Sequence, residues 1–149
     1  MSTIVSTSRR PGTTYTCDIA VRQHHLVADE PEDAGGDDLG PNPVELVSAA
    51  LGACTAMTIE MYAKRKGWNI SKLDISVVRE VVNDPSATFE GRIERRDQFR
   101  TRIHLEGNLD DEQRKRLYTI AARCPVHRML AGSPILIEEY VDSYDSDSE

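Results

Sequence analysis

Two cysteines lie in settings that could support thiol chemistry. Cys54 falls within Ala50-Leu51-Gly52-Ala53-Cys54-Thr55-Ala56-Met57, and Cys124 within Arg123-Cys124-Pro125-Val126-His127-Arg128. A thiolate rather than a thiol attacks peroxides and disulfides, so each site depends on what stabilises negative sulfur. Pro125 disfavours helical geometry in the residue before it and suits the first position of a helix that follows. Cys124 is therefore expected near the N-cap of a short helix, facing free N–H donors and the positive end of the dipole. Arg123 and Arg128 lie close to it in sequence. Cys54 is mid-helix, where the dipole does little and burial opposes ionisation, so it needs a cation from another element. Two ordinary buried cysteines are the alternative. Cys124 and His127, with Cys54 as a third ligand, have a zinc-like spacing, but no second ligand pair accompanies them. No metal and no cofactor are expected.

The stretch that must position Cys54 runs from Gly40 to Gly67. Asn42 is a good N-cap and Pro43 fits the first helical position. Val47, Ala50, Cys54, Met57 and Met61 recur at steps of three and four, which places them on one apolar face of a long helix. Lys64, Arg65 and Lys66 suit its last turn, and Gly67 suits a left-handed cap. Such a helix is expected to be central, with the chain wrapped around it.

Before it, Thr3 to Arg10, Thr14 to Arg22 and His25 to Ala28 read as an antiparallel meander, with turns at Pro11-Gly12 and Gln23-His24. Cys17 is a packed or half-exposed strand residue in this reading. Asp29 to Pro41 holds six acids and three glycines. It reads as a solvated loop, or a rim beside Cys54, more readily than as a cage for a hard cation. After the helix, Lys72 to Val82 and Phe99 to Glu106 read as two strands of a long hairpin, with turn chemistry at Asn83-Asp84-Pro85-Ser86. The arginines at 92, 95, 96, 100 and 102 fit a solvated strand face. Asp110 and Gln113 form a capping box for a second helix bearing Leu117, Ile120 and Ala121. Ile135, Ile137 and Tyr140 suggest a last strand, and residues 142–149 an acidic disordered tail.

The chain of 149 residues is long enough for one domain with a real core, here residues 1–141. A formal net charge of −7 argues against general nucleic-acid binding. No signal peptide is read at the N-terminus, and no segment is expected to span a bilayer, which points to the cytoplasm. Thiols stay reduced there, so two paired cysteines suggest redox work rather than a structural disulfide.

Gly40-Pro41-Asn42-Pro43-Val44-Glu45-Leu46, the Cys54 stretch, Tyr62-Ala63-Lys64-Arg65-Lys66-Gly67-Trp68 and Ile120-Ala121-Ala122-Arg123-Cys124-Pro125-Val126-His127-Arg128 together resemble the OsmC/Ohr family. The resemblance implies an α+β fold in which antiparallel sheets wrap around a long central helix, assembled as an intertwined homodimer. It also implies a thiol peroxidase that reduces organic hydroperoxides and is reset by an external dithiol. Carried over, Cys54 is the peroxidatic cysteine and Cys124 the resolving one. In the hydroperoxide-resistance branch a glutamate directly follows Asn-Pro and pairs with a catalytic arginine near the first hairpin. Here Val44 holds that place, and Glu45, one helical step of about 100° further on, is carried over as the catalytic glutamate. Arg10, ahead of Arg9 and Arg22, is the matching arginine. The alternative within the family is a non-catalytic protein that binds a small apolar ligand or senses electrophiles.

Overall fold

The computed structural model describes residues 3–132 and 134–140. The expected acidic tail lies outside the described residues, as does Ser133. The architecture is α+β with antiparallel sheets, and the chain divides into two compact units, Met1–Leu46 with Ile135–Glu149, and Val47–Pro134.

In the first unit β1 (Val5–Arg9), β2 (Cys17–Val21) and β3 (His24–Ala28) form the expected meander in the order β1-β2-β3. The second strand starts three residues later than its sequence suggests. Thr14 donates its N–H to Asp37 Oδ2 at 3.0 Å, and the Thr16 hydroxyl donates to Asp29 Oδ2 at 2.9 Å. These threonines serve the loop after β3 instead of extending the ladder. The second turn lies at Arg22-Gln23 rather than Gln23-His24, because Val21 pairs with His24 and Arg22 takes a left-handed φ of 54°.

Asp29 organises the acidic loop. It is 2% exposed and accepts hydrogen bonds from Thr16 Oγ1, Glu30 N and Leu39 N. Two of the loop glycines sit where the chain crosses itself. A Cβ on Gly36 would lie 1.9 Å from the Glu30 carbonyl oxygen, and one on Gly40 2.4 Å from that of Val27.

Helix α1 (Pro43–Lys66) begins and ends where the sequence places it. Asn42 and Glu45 cap its start reciprocally: Glu45 N donates to Asn42 Oδ1 at 2.9 Å, and Asn42 N to Glu45 Oε2 at 2.8 Å. At the other end Gly67 is left-handed, with Gly67 N bonded to Lys64 O and Trp68 N to Ala63 O. That pair of bonds is a Schellman closure.

The face that α1 buries differs from the expected one. Leu51, Thr55, Ile59 and Ala63 are buried, while Val47, Met57 and Met61 are 38%, 63% and 72% exposed. The helix carries apolar residues on more than one side, so spacing alone could not rank the faces. Tertiary packing selects the i, i+4 row that meets the second unit's core. By length and apolarity α1 also qualifies to cross a membrane, which corrects the expectation that no segment could. The core helix of a soluble protein passes the same test.

The rest of the second unit is a long hairpin and two helices. Strand β4 (Asn69–Phe89) pairs antiparallel with β5 (Arg92–Asn108). The turn is Glu90-Gly91, with φ of 49° and 76°, and not Asn83 to Ser86. The latter stretch is a bulge between Asp84 and Thr88, where Asp84 accepts from Ser86 N at 2.9 Å. Proline is tolerated at such an irregularity because no ladder N–H is required there. Strand-face arginines pair with neighbouring acids, Arg96 with Asp84 at 3.0 Å and Arg100 with Glu80 at 3.5 Å.

Helix α2 (Asp111–Ala121) starts on the expected Asp110–Gln113 capping box and buries Leu117, Ile120 and Ala121. With Ile59, Ala63 and Leu105, Leu117 and Ala121 form the core, so one face of α1 packs against the hairpin and α2. Helix α3 (Pro125–Ala131) follows directly. No strand forms over residues 134–140, where Ile135, Leu136 and Ile137 are 88%, 78% and 78% exposed. A strand gains its stability from a ladder partner, which this stretch lacks among the described residues.

Candidate functional site

Cys54 and Cys124 meet inside the second unit. Cys124 is the N-cap of α3, in extended backbone geometry, and its sulfur accepts the His127 N–H at 3.2 Å. Pro125 enforces that geometry from the sequence alone, since it bars the helical conformation from residue 124. The Cys124 side chain is fully buried, and the Thr55 hydroxyl lies 3.8 Å from its sulfur.

Cys54 is one residue before Thr55 on α1, at the border between the buried and exposed faces, and is half-buried. Cys124, the Val126 N–H and the Thr58 hydroxyl neighbour its thiol and act on its ionisation. Burial pushes the Cys54 thiol above its ordinary value. The Val126 N–H pulls it back, the neighbouring Cys124 raises it further, and the Thr58 hydroxyl lowers it. Both thiols are free. The arrangement can do one thing that two isolated buried cysteines cannot: if one sulfur is oxidised to a sulfenic acid, the neighbouring thiol can attack it, release water and close a disulfide.

Arg10 and Glu45 belong to the first unit. Arg10 extends from the loop after β1 and is paired with Asp18 on β2, its Nε donating to Asp18 Oδ2 at 3.1 Å. That bond and the Coulomb attraction of Asp18 raise the Arg10 pKa and lower that of Asp18. The Glu45 carboxylate is held by the Asn42 N–H in the cap of α1. Cys17 is half-exposed on β2, its Sγ 3.5 Å from the Tyr15 carbonyl oxygen. Among the described residues no three His, Cys, Asp or Glu side chains converge as ligands for a metal. His127 meets Cys124 through its backbone N–H.

Thr55, Thr58 and the Val126 N–H were not singled out from the sequence. Thr55 and Thr58 are one and four residues beyond Cys54, and the i, i+4 rule for helices was a signal that could have found Thr58. Thr55 and Val126 required knowing that α3 packs against α1.

The model of the OsmC-like protein family matches residues 35–139. Solved structures with the same fold include an OsmC-like protein from Mycoplasma pneumoniae, 19% identical over 89% of each chain with a TM-score of 0.69. Another is the organic hydroperoxide resistance protein OsmC from Legionella pneumophila, 18% identical over 89% of this chain and 90% of that one, TM-score 0.63. A third is the organic hydroperoxide resistance protein OhrB of Bacillus subtilis, 20% identical over 89% and 92%, TM-score 0.59. None of the curated proteins matches the sequence. At these identities the likeness to solved structures concerns the fold.

Proposed function

The chain belongs to the OsmC-like protein family, and from that premise we propose that it is a homodimeric thiol peroxidase acting on organic hydroperoxides. The observation that carries the proposal is that Cys54 and the buried Cys124 are neighbours close enough to shift the Cys54 thiol. The names of the Legionella pneumophila and Bacillus subtilis proteins, which share the fold, support the same substrate class.

In this reading the Cys54 thiolate attacks the outer oxygen of the hydroperoxide. The O–O bond breaks, the alcohol leaves after taking up a proton, and Cys54 becomes a sulfenic acid. Cys124 then attacks that sulfur, water departs, and a disulfide forms. An external dithiol reduces the disulfide by exchange and is itself oxidised to a disulfide. Because burial holds the resting Cys54 as a thiol, a cation must favour the thiolate at the moment of attack; Arg10 is assigned that role. Glu45 is assigned to positioning, as the cap that fixes the start of α1. The exposed row Val47, Met57 and Met61 is covered by a second copy of the chain. A reducing cytoplasm suits three free thiols.

Intact-mass and dimedone analysis after one equivalent of cumene hydroperoxide tests the division of labour. Cys124→Ser should consume peroxide once and accumulate a dimedone adduct on Cys54. Cys54→Ser should leave Cys124 reduced. A dimedone adduct on Cys124 of Cys54→Ser, formed as fast as oxidation in the parent protein, would reverse the roles.

A further inference from the structure

The second unit contains a cavity of about 410 Å³ that neither cysteine lines. Leu51 and Thr55 of α1 form one wall, β5 contributes Phe99 and Ile103, and Tyr118 of α2 and His127 of α3 form an exposed rim at its open side. That volume is in the range of small-molecule sites, about 300–1,000 Å³, and four elements converge on it. The lining has no Asp, Glu, Lys or Arg. An ionic ligand would therefore lose its hydration with no countercharge to replace it. Aliphatic and aromatic walls with a few hydroxyls and one imidazole suit a neutral, largely apolar molecule with a single hydrogen-bonding group.

Two of the lining residues also touch the Cys124 thiol. The Thr55 hydroxyl is 3.8 Å from Cys124 Sγ, and His127 donates its N–H to the same sulfur at 3.2 Å. The geometry points to a second site in this cavity, which binds a neutral apolar small molecule and through Thr55 and His127 restrains the Cys124 thiol. It is separate from the peroxide-reducing site proposed above, since Cys54 is not among its walls.

The neutral fluorophore N-phenyl-1-naphthylamine is a suitable probe with the full chain. Its fluorescence should saturate at one molecule per chain. Ala131→Trp and Ala122→Phe, at exposed positions that line the cavity, should each raise its Kd by about tenfold or more. Circular dichroism checks that both variants keep the fold. In Cys54→Ser, bound probe should slow iodoacetamide labelling of Cys124, located by peptide mass, in proportion to occupancy. Unchanged affinity in both filled variants overturns the site. So does a shift of those variants in sedimentation with probe affinity intact, which would make a second chain the occupant. Binding with unaltered Cys124 labelling overturns the link to the thiol. None of these readouts depends on peroxide turnover, so they fail or succeed apart from the peroxidase assignment.

Discussion

The two faces of α1 make opposite predictions for neighbouring side chains. Met57 and Met61 are 63% and 72% exposed in the single chain, so truncating them removes little packing within it. If a second copy covers this row, most of each side chain leaves water on association. Covering that fraction of a methionine is worth about 1–2 kcal/mol. Both residues occur twice in a symmetric dimer, so Met57→Ala/Met61→Ala should weaken association by about 4–8 kcal/mol, or about a thousandfold or more in Kd. Ile59, on the opposite row, is fully buried against Leu105, Leu117 and Ala121. Ile59→Ala should cost the chain itself about 2–5 kcal/mol, the range for a large-to-small change in a packed core. Sedimentation velocity across a concentration series reads the first effect and urea unfolding of the same samples the second. A parent protein that sediments as a folded monomer at low micromolar concentration would refute the argument. So would a double methionine variant with the parent's dimer constant.

Other expectations follow from the first unit. Arg10→Ala should slow oxidation of Cys54 by cumene hydroperoxide far more than Arg22→Ala; equal rates in stopped-flow assays would remove Arg10 from the site. Glu45→Gln should preserve both stability and turnover, because glutamine also closes a capping box, whereas Glu45→Ala should lose about 1 kcal/mol of stability. A collapse of turnover in Glu45→Gln would return that carboxylate to the chemistry. Burial disfavours the charged form of Asp29, but the Thr16 hydroxyl and the backbone N–H groups of Leu39, Glu30 and Asp37 together outweigh it, so Asp29 is ionised more readily than an ordinary carboxyl. Its folded pKa lies below the unfolded one, so its contribution is complete above about pH 4 and is lost as pH falls through the folded value. Thermal melts should therefore show a shallower acid-side decline in Asp29→Asn than in the parent, from a lower plateau near neutrality; parallel curves would contradict this.

Local chemistry made much of this protein legible in its sequence. The caps of α1 and α2, the glycine stop at residue 67 and the N-cap position of Cys124 depend on contacts within a few residues of chain. Asn42, Asp110, Gly67 and Pro125 specify them without help from distant elements. The hairpin turn failed for the same reason that the caps succeeded. Asn83-Asp84-Pro85-Ser86 has the residues of a turn, yet the pairing of Asp84 with Glu94 and Thr88 with Ile93 carries the ladder past it, and Glu90-Gly91 reverses the chain. A local signal was outweighed by the summed bonds of two long strands.

Tertiary structure alone decided which row of α1 is buried. Val47-Ala50-Met57-Met61 and Leu51-Thr55-Ile59-Ala63 are both compatible with helical periodicity, and the choice falls to the surface offered by Leu105 and Leu117, more than 40 residues away in sequence. It likewise decided that Asp29, an unremarked member of an acidic run, is the buried hub of its loop. The sequence identified both thiols as candidates for chemistry, and folding α3 against α1 brings them together. Periodicity records which side chains share a face, but which face meets a partner depends on residues distant along the chain.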